Sequence, residues 1–193
     1  MKENQNQKIA SILNASAQIK SQIAADESLL YLIAQTVEII VSCFRKGGRV
    51  YFCGNGGSAA DAQHLAAEFS GRFYVDRPFL PAEALHTNSS YITAVANDYG
   101  YDEVYARMAA SFSPNDVLIG LSTSGNSSNI VRAFEVCQKK GVQTIGLTGA
   151  GGGKMKNLSD VWIGIPSNDT PRIQEAHITV GHIICQLVEE RLF

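Results

Sequence analysis

From Arg49 onward the chain repeats one unit: a short, apolar, β-prone run, a polar or glycine-bearing loop, then an amphipathic helical stretch. No other feature constrains the fold as strongly. Strands are predicted over 49–53, 82–86, 116–121, 143–147 and 161–165, with helices over 58–70, 89–97, 102–110, 126–140 and 172–192. Short apolar strands that alternate with helices are covered on both faces, which gives an α/β fold: a three-layer, doubly wound sheet of about five parallel strands. Ligands of such sheets sit beyond the carboxyl ends of the strands. The loops 54–58 and 122–127 fall at that edge.

Before the first strand, apolar residues recur at helical spacing from about Gln7 to Lys46. Ile9, Ile12, Leu13 and Ile19 mark one helix, and Leu29, Leu30, Ile33, Val37, Ile40, Val41 and Phe44 a second, closed by Gly47-Gly48. The expected organisation is a single domain over 1–193, with a helical preface (1–47) leading into the α/β sandwich (48–193). The preface carries an apolar face that one sheet need not use, and its expected destination is a subunit interface.

With 193 residues, 45% of them apolar, the chain can bury a core without staples. A formal charge of −2 with no basic run gives no support to nucleic-acid binding. Cys43, Cys53, Cys137 and Cys185 are scattered among apolar residues without a C-x-x-C pair, so they read as buried free thiols. The polar start (Met1-Lys2-Glu3-Asn4-Gln5-Asn6-Gln7) lacks the apolar core of a signal peptide, and no span reads as long enough for a bilayer, so a cytoplasmic protein without membrane contact is expected.

Two loops carry the chemistry. In Cys53-Gly54-Asn55-Gly56-Gly57-Ser58 a strand turns through glycines into a helix, bringing backbone N–H groups toward an anion or sugar at the helix start. The third glycine of the dinucleotide pattern is replaced by Ala59, and Gly-x-x-x-x-Gly-Lys-Ser/Thr is absent, so no nucleotide cofactor is expected. Ser122-Thr123-Ser124-Gly125-Asn126-Ser127 also opens a helix, and its hydroxyls can converge on a phosphate without a lysine. Ordinary helix capping accounts for at least one of them.

His64 and Glu68 stand four residues apart on a helix that reads as largely buried, through Ala60, Ala62, Leu65, Ala66, Ala67 and Phe69. The two share one face, and a metal, a proton or an ion pair remain open as their business. On the last helix Gln174, Ile178 and His182 follow at successive four-residue steps, though His182 also suits an interior position; His177 reads as structural or supporting. Asp98, in an expected polar turn over 97–102, can bind a sugar hydroxyl or cap the next helix, as Asp102 is expected to do. His86 ends a strand and can approach a ligand.

Taken together, Cys-Gly-Asn-Gly-Gly-Ser at 53–58, His64 with Glu68, Asn97-Asp98, Ser-Thr-Ser-Gly-Asn-Ser at 122–127, and Arg-Ile-Gln-Glu-x-His at 172–177 with His182 resemble the phosphoheptose isomerases of the sugar isomerase (SIS) superfamily, over nearly the whole length. The resemblance implies a flavodoxin-like SIS fold, a homotetramer with active sites at subunit boundaries, and interconversion of sedoheptulose 7-phosphate and D-glycero-D-manno-heptose 7-phosphate. It implies that Glu68 and His182 are the acid/base pair. Substrate contacts would come from Asn55, Gly56, Gly57, Glu68, Asn97, Asp98, Ser122, Thr123, Ser124, Ser127 and Gln174, and one zinc ion per subunit would be bound by His64, Glu68, Gln174 and His182. Some relatives place an aspartate directly before Arg-Ile-Gln; here Pro171 stands there and Asp169 lies two places earlier, so Asp169 inherits no role by position. A non-catalytic SIS protein resembling the replication initiator-associating factor is the alternative.

Overall fold

The structure is a computed structural model that describes residues 4–193. Two helices, α1 (Gln5–Ala25) and α2 (Glu27–Arg45), lead into strand β1 (Val50–Gly54) and helix α3 (Gly57–Ser70). Strand β2 (Ala82–Ala84), helix α4 (Ser89–Tyr99), a 3-10 turn (Tyr101–Glu103) and helix α5 (Val104–Ala109) follow. The chain continues through β3 (Val117–Ser122), α6 (Ser128–Lys140), β4 (Gln143–Gly149), a second 3-10 turn (Lys154–Leu158), β5 (Val161–Ile165) and α7 (Thr170–Leu192).

All strand pairs are parallel, and the spatial order is β2-β1-β3-β4-β5. Strand order therefore reverses between β1 and β3, and the crevice at that reversal is flanked by the two loops singled out above. The sheet alternates strictly. Val50, Phe52, Val117, Ile119, Leu121, Ile145 and Leu147 pack with α2, α3 and α7 on one face. On the other, Cys53 and Leu118 pack with Tyr105 of α5 and with Ile130 and Phe134 of α6.

Three expectations about organisation change. First, α2 is no preface: Leu29, Ile33, Val37, Ile40 and Val41 are buried against the sheet, so α2 is part of a covering layer. The first half of α1 lies outside it, with Ile9, Ile12 and Leu13 each at least 44% exposed, while Ile23 near its end joins the core. Second, α2 is long and apolar enough to cross a membrane by length and composition, contrary to the sequence reading, but its apolar face is accounted for by the core it covers. Third, β2 stops at Ala84, which leaves His86 in the turn beyond it.

Asn97 and Asp98 form the last turn of α4 rather than a loop, and α6 begins at Ser128, two residues later than its pattern suggested. Asp102 lies inside the 3-10 turn, and no side chain caps α5. All four cysteines are free and buried, as expected.

Candidate active site

The β1 loop is built by close approach. A Cβ at Gly54 would lie 2.3 Å from the carbonyl oxygen of Ser58, so only glycine lets the chain turn this sharply into α3. The Gly54 carbonyl accepts a bond from the buried Tyr105 hydroxyl at 2.7 Å. The N–H groups of Ser58 and Ala59 bond to the carbonyls of Asn55 and Gly56, and among the described residues the amides of the exposed Gly56 and Gly57 find no partner.

Opposite it, Gly125 adopts a positive φ of +66° with the Gly152 carbonyl 2.0 Å from where a Cβ would stand, so the β3 loop is pressed onto the Ala150–Gly153 turn. Asn126 Oδ1 accepts from the Lys154 amide at 3.1 Å, and the Gly125 carbonyl from the Met155 amide at 3.0 Å. Ser127 occupies the N-cap position of α6 but does not cap it; its hydroxyl pairs with the buried Ser122 hydroxyl at 2.9 Å. The first turn of α6 thus keeps uncapped N–H groups beside a pair of hydroxyls, with the positive end of the helix dipole behind them. Thr123 and Ser124 complete the rim, Ser124 Oγ taking the Asn126 amide at 3.2 Å. This surface suits a phosphate dianion.

The two loops are joined by a contact that periodicity does not reveal. Asn55 Nδ2 donates to Asn129 Oδ1 and Asn129 Nδ2 donates to Asn55 Oδ1, both at 2.9 Å, across the strand-order reversal. The Tyr101 hydroxyl adds a bond to Asn55 Oδ1 at 3.3 Å, which brings the end of α4, with Asn97 and Asp98, toward the crevice rim. Asn97 Nδ2 donates to Asp98 Oδ1 at 2.8 Å, and both residues are exposed.

Helices α3 and α7 run side by side in the same direction. At one end the Gln174 side chain fills the space a Cβ on Gly57 would need; farther along, Leu65 fills the space over Gly181. This seam brings His64, Glu68 and His182 together: His64 Nε2 is 3.1 Å from Glu68 Oε1 and 3.0 Å from His182 Nε2, and one ligand atom from each lies within 4.8 Å of the others. Gln174 lies eight residues before His182, about 12 Å of helix, with its side chain against Gly57. Helix α3 is less buried than expected: Ala60 and Ala67 are exposed and His64 is 52% exposed, while Glu68 meets His64 as its partner. One turn earlier, Asp61 keeps Oδ2 buried without a partner, and that burial pushes its carboxyl pKa up against a smaller opposing pull from His64.

Two imidazole nitrogens and one carboxylate oxygen at this spacing could hold a metal ion.

Two other histidines are accounted for differently. His177 is fully buried, with Nε2 3.2 Å from the Thr148 carbonyl and Nδ1 unpartnered, and burial lowers its pKa to about 4. The ring is therefore neutral and donates from Nε2, tying α7 to the end of β4. Burial likewise lowers the pKa of His86, whose Nδ1 has no partner. Since unfolding lets His177 take up a proton below its ordinary value of 6.5, stability falls as pH drops from about 6.5 toward 4. The loss from this ring amounts to about 3 kcal/mol at most. Denaturant midpoints measured between pH 4.5 and 7 should flatten in His177→Gln; an unchanged slope would contradict the assignment. Asp169 holds the N-cap position of α7 without a side-chain cap bond.

The comparisons decide the family. The SIS domain model matches residues 6–149. A phosphoheptose isomerase of Aneurinibacillus thermoaerophilus is 52% identical over 189 residues, covering 97% of this chain and 96% of the relative. The chain belongs to the phosphoheptose isomerases. Phosphoheptose isomerase 2 of Campylobacter jejuni is 50% identical over 192 residues, 99% of this chain and 96% of its own. The solved phosphoheptose isomerase from Francisella tularensis superposes with a TM-score of 0.92 at 35% identity, over 97% of this chain and all (100%) of that one. As a phosphoheptose isomerase with the SIS fold, the chain carries both loops, the seam and the histidine cluster on one five-stranded parallel sheet.

Proposed function

We propose that the chain converts sedoheptulose 7-phosphate to D-glycero-D-manno-heptose 7-phosphate through an enediol, supplying heptose for lipopolysaccharide core or other surface glycans. The observation that carries the reading is the meeting of Glu68 and His182, from distant segments, around His64. Ketose-to-aldose conversion removes a proton from C1 and returns one to C2, while a hydroxyl proton passes from O1 to O2. Two titratable groups of opposite character within a few ångströms can divide that traffic with no net change in the enzyme's protons. The Ser122 and Ser127 hydroxyls and the open end of α6 hold the phosphate, and Gly56, Gly57, Asn55, Thr123 and Ser124 line the crevice between phosphate and cluster. Gln174, Asn97 and Asp98 supply further polar groups to the sugar chain.

His64, Glu68 and His182 would hold a zinc ion, with Gln174 as a fourth ligand. When bound, zinc supplies Lewis-acid polarisation of the sugar oxygens. The exposed Ile9, Ile12 and Leu13 of α1, and Ile183 next to His182, support a homotetramer whose subunit boundaries close over the half-exposed cluster. A cytoplasmic location follows from the phosphorylated substrate. Near-full-length identity with enzymes, together with the presence of both Glu68 and His182, favours catalysis over the regulatory alternative.

The test is incubation with sedoheptulose 7-phosphate in deuterated buffer, read by proton NMR: an aldose anomeric signal should appear, with deuterium entering at C2. Absence of aldose rejects the reading. Ser122→Ala removes one hydroxyl from the cradle and should raise KM by about 10- to 100-fold, the value of one bond to a charged group, with a much smaller effect on kcat. An unchanged KM would remove the phosphate from this loop.

A further inference from the structure

Beyond the reactive cluster lies a second pair of charges that catalysis does not use. Arg77 and Glu189 are buried, with side chains 1% and 4% exposed, and Nε of the arginine donates to Oε2 of the glutamate at 2.8 Å. Glu189 stands seven residues after His182, two turns along α7 and therefore on nearly the same face. Arg77 reaches the other helix: Nη2 donates to the Glu68 carbonyl at 2.8 Å and Nη1 to the Phe69 carbonyl at 2.7 Å, in the last turn of α3. The same carboxylate accepts the backbone N–H groups of Phe73, Tyr74 and Val75 at 3.1, 2.7 and 3.0 Å. Phe73, so held, places its ring 5.8 Å from that of His182, centroid to centroid.

We infer that Arg77 and Glu189 are positioning residues that set the axial register of α3 against α7, and through it the approach of Glu68 to His182. Leu65 against Gly181 fixes how close the helices lie but not how far one slides along the other. A slip of one residue is about 1.5 Å, enough to take the His64–His182 contact out of hydrogen-bond reach. The guanidinium fork is the part that reads two successive carbonyls of α3 and one carboxylate of α7 at once; an ammonium cannot reproduce that geometry.

The inference rests on the assignment of Glu68 and His182 to proton transfer, and the experiment separates the two. Arg77→Lys, with folding checked by circular dichroism, should lose kcat by about 10- to 100-fold, the scale of an ångström's misplacement, with KM within about threefold because the phosphate loops do not touch Arg77. Its crystal structure should show the His64 Nε2–His182 Nε2 spacing opened from 3.0 Å. Arg77→Ala should regain kcat on addition of millimolar guanidinium, and Val117→Ala, a core truncation in β3, should lose stability without losing kcat. Wild-type kcat in folded Arg77→Lys, an unchanged spacing, or an equal kcat loss in Val117→Ala overturns the inference. Wild-type turnover in Glu68→Gln instead rejects the proton-transfer assignment, whatever the spacing in Arg77→Lys.

Discussion

Replacing Glu68 by glutamine is expected to lower kcat for the phosphorylated ketose by about 100- to 10,000-fold, and His182→Gln to do the same. Both substitutions keep size and hydrogen-bonding capacity while removing the ability to exchange a proton. Glu68 is only partly buried and bonds through one oxygen to His64, so its amide should leave the fold intact. His182 packs beside His64 and Phe73 at the surface of the seam, where glutamine finds room. Steady-state kinetics with circular dichroism on each variant decides the matter. If either protein turns over substrate within tenfold of the wild type, that residue is not one of the proton carriers. Because the two act on one substrate, the double variant should be little worse than the poorer single one, as groups acting as a unit are not additive.

The largest stability effect is expected at Glu189. Glu189→Ala strands the buried Arg77 guanidinium and three backbone N–H groups, and removing one partner of a buried pair costs about 3–5 kcal/mol. That is a large share of the roughly 5–15 kcal/mol by which a domain is stable, so a marked drop in urea midpoint and melting temperature should follow. Burial pushes the Glu189 carboxyl pKa up, but the bonds from Val75, Tyr74, Phe73 and Arg77 outweigh it and leave the group below its ordinary value. Its contribution is therefore complete above the ordinary glutamate range and is lost as acid protonates the folded form. An apolar double replacement, Arg77→Met with Glu189→Leu, should not restore stability, although such swaps often do for simple pairs. Here four backbone carbonyls and three amides would each lose a bond. Recovery to the wild-type midpoint would show that the charges alone mattered.

The strand-loop-helix repeat made the sheet readable because the central strands β3 and β4 are buried on both faces and the helices that cover them on one, so hydrophobic period and layer coincide. The same logic misassigned α2: helical periodicity reports that a face is buried, not against what, and the sheet it covers is assembled from residues far along the chain. Loop 122–127 was legible as a hydroxyl cluster, yet whether Ser127 caps or faces Ser122 depends on a side-chain rotation that spacing does not encode. His64 and Glu68 could be paired because one helix carries both; His182 joins them only through the α3–α7 seam. Nothing local distinguished Arg77, Glu189 or Asn129, because the Arg77–Glu189 pair and the Asn129–Asn55 pair each join distant segments, and a lone charge reads by default as solvated.

The Asn55–Asn129 contact bears on how such a crevice can drift. Within the pair each amide gives one bond and takes one, so an aspartate at either position turns an attractive oxygen–nitrogen contact into two opposed oxygens, and an apolar side chain orphans its neighbour's Nδ2, while the neighbour's oxygen keeps the Ile130 amide or the Tyr101 hydroxyl. Neither position can wander alone without cost. The two ends of this staple are tied to a common fate, and variation at the mouth of the crevice is channelled into the residues around them.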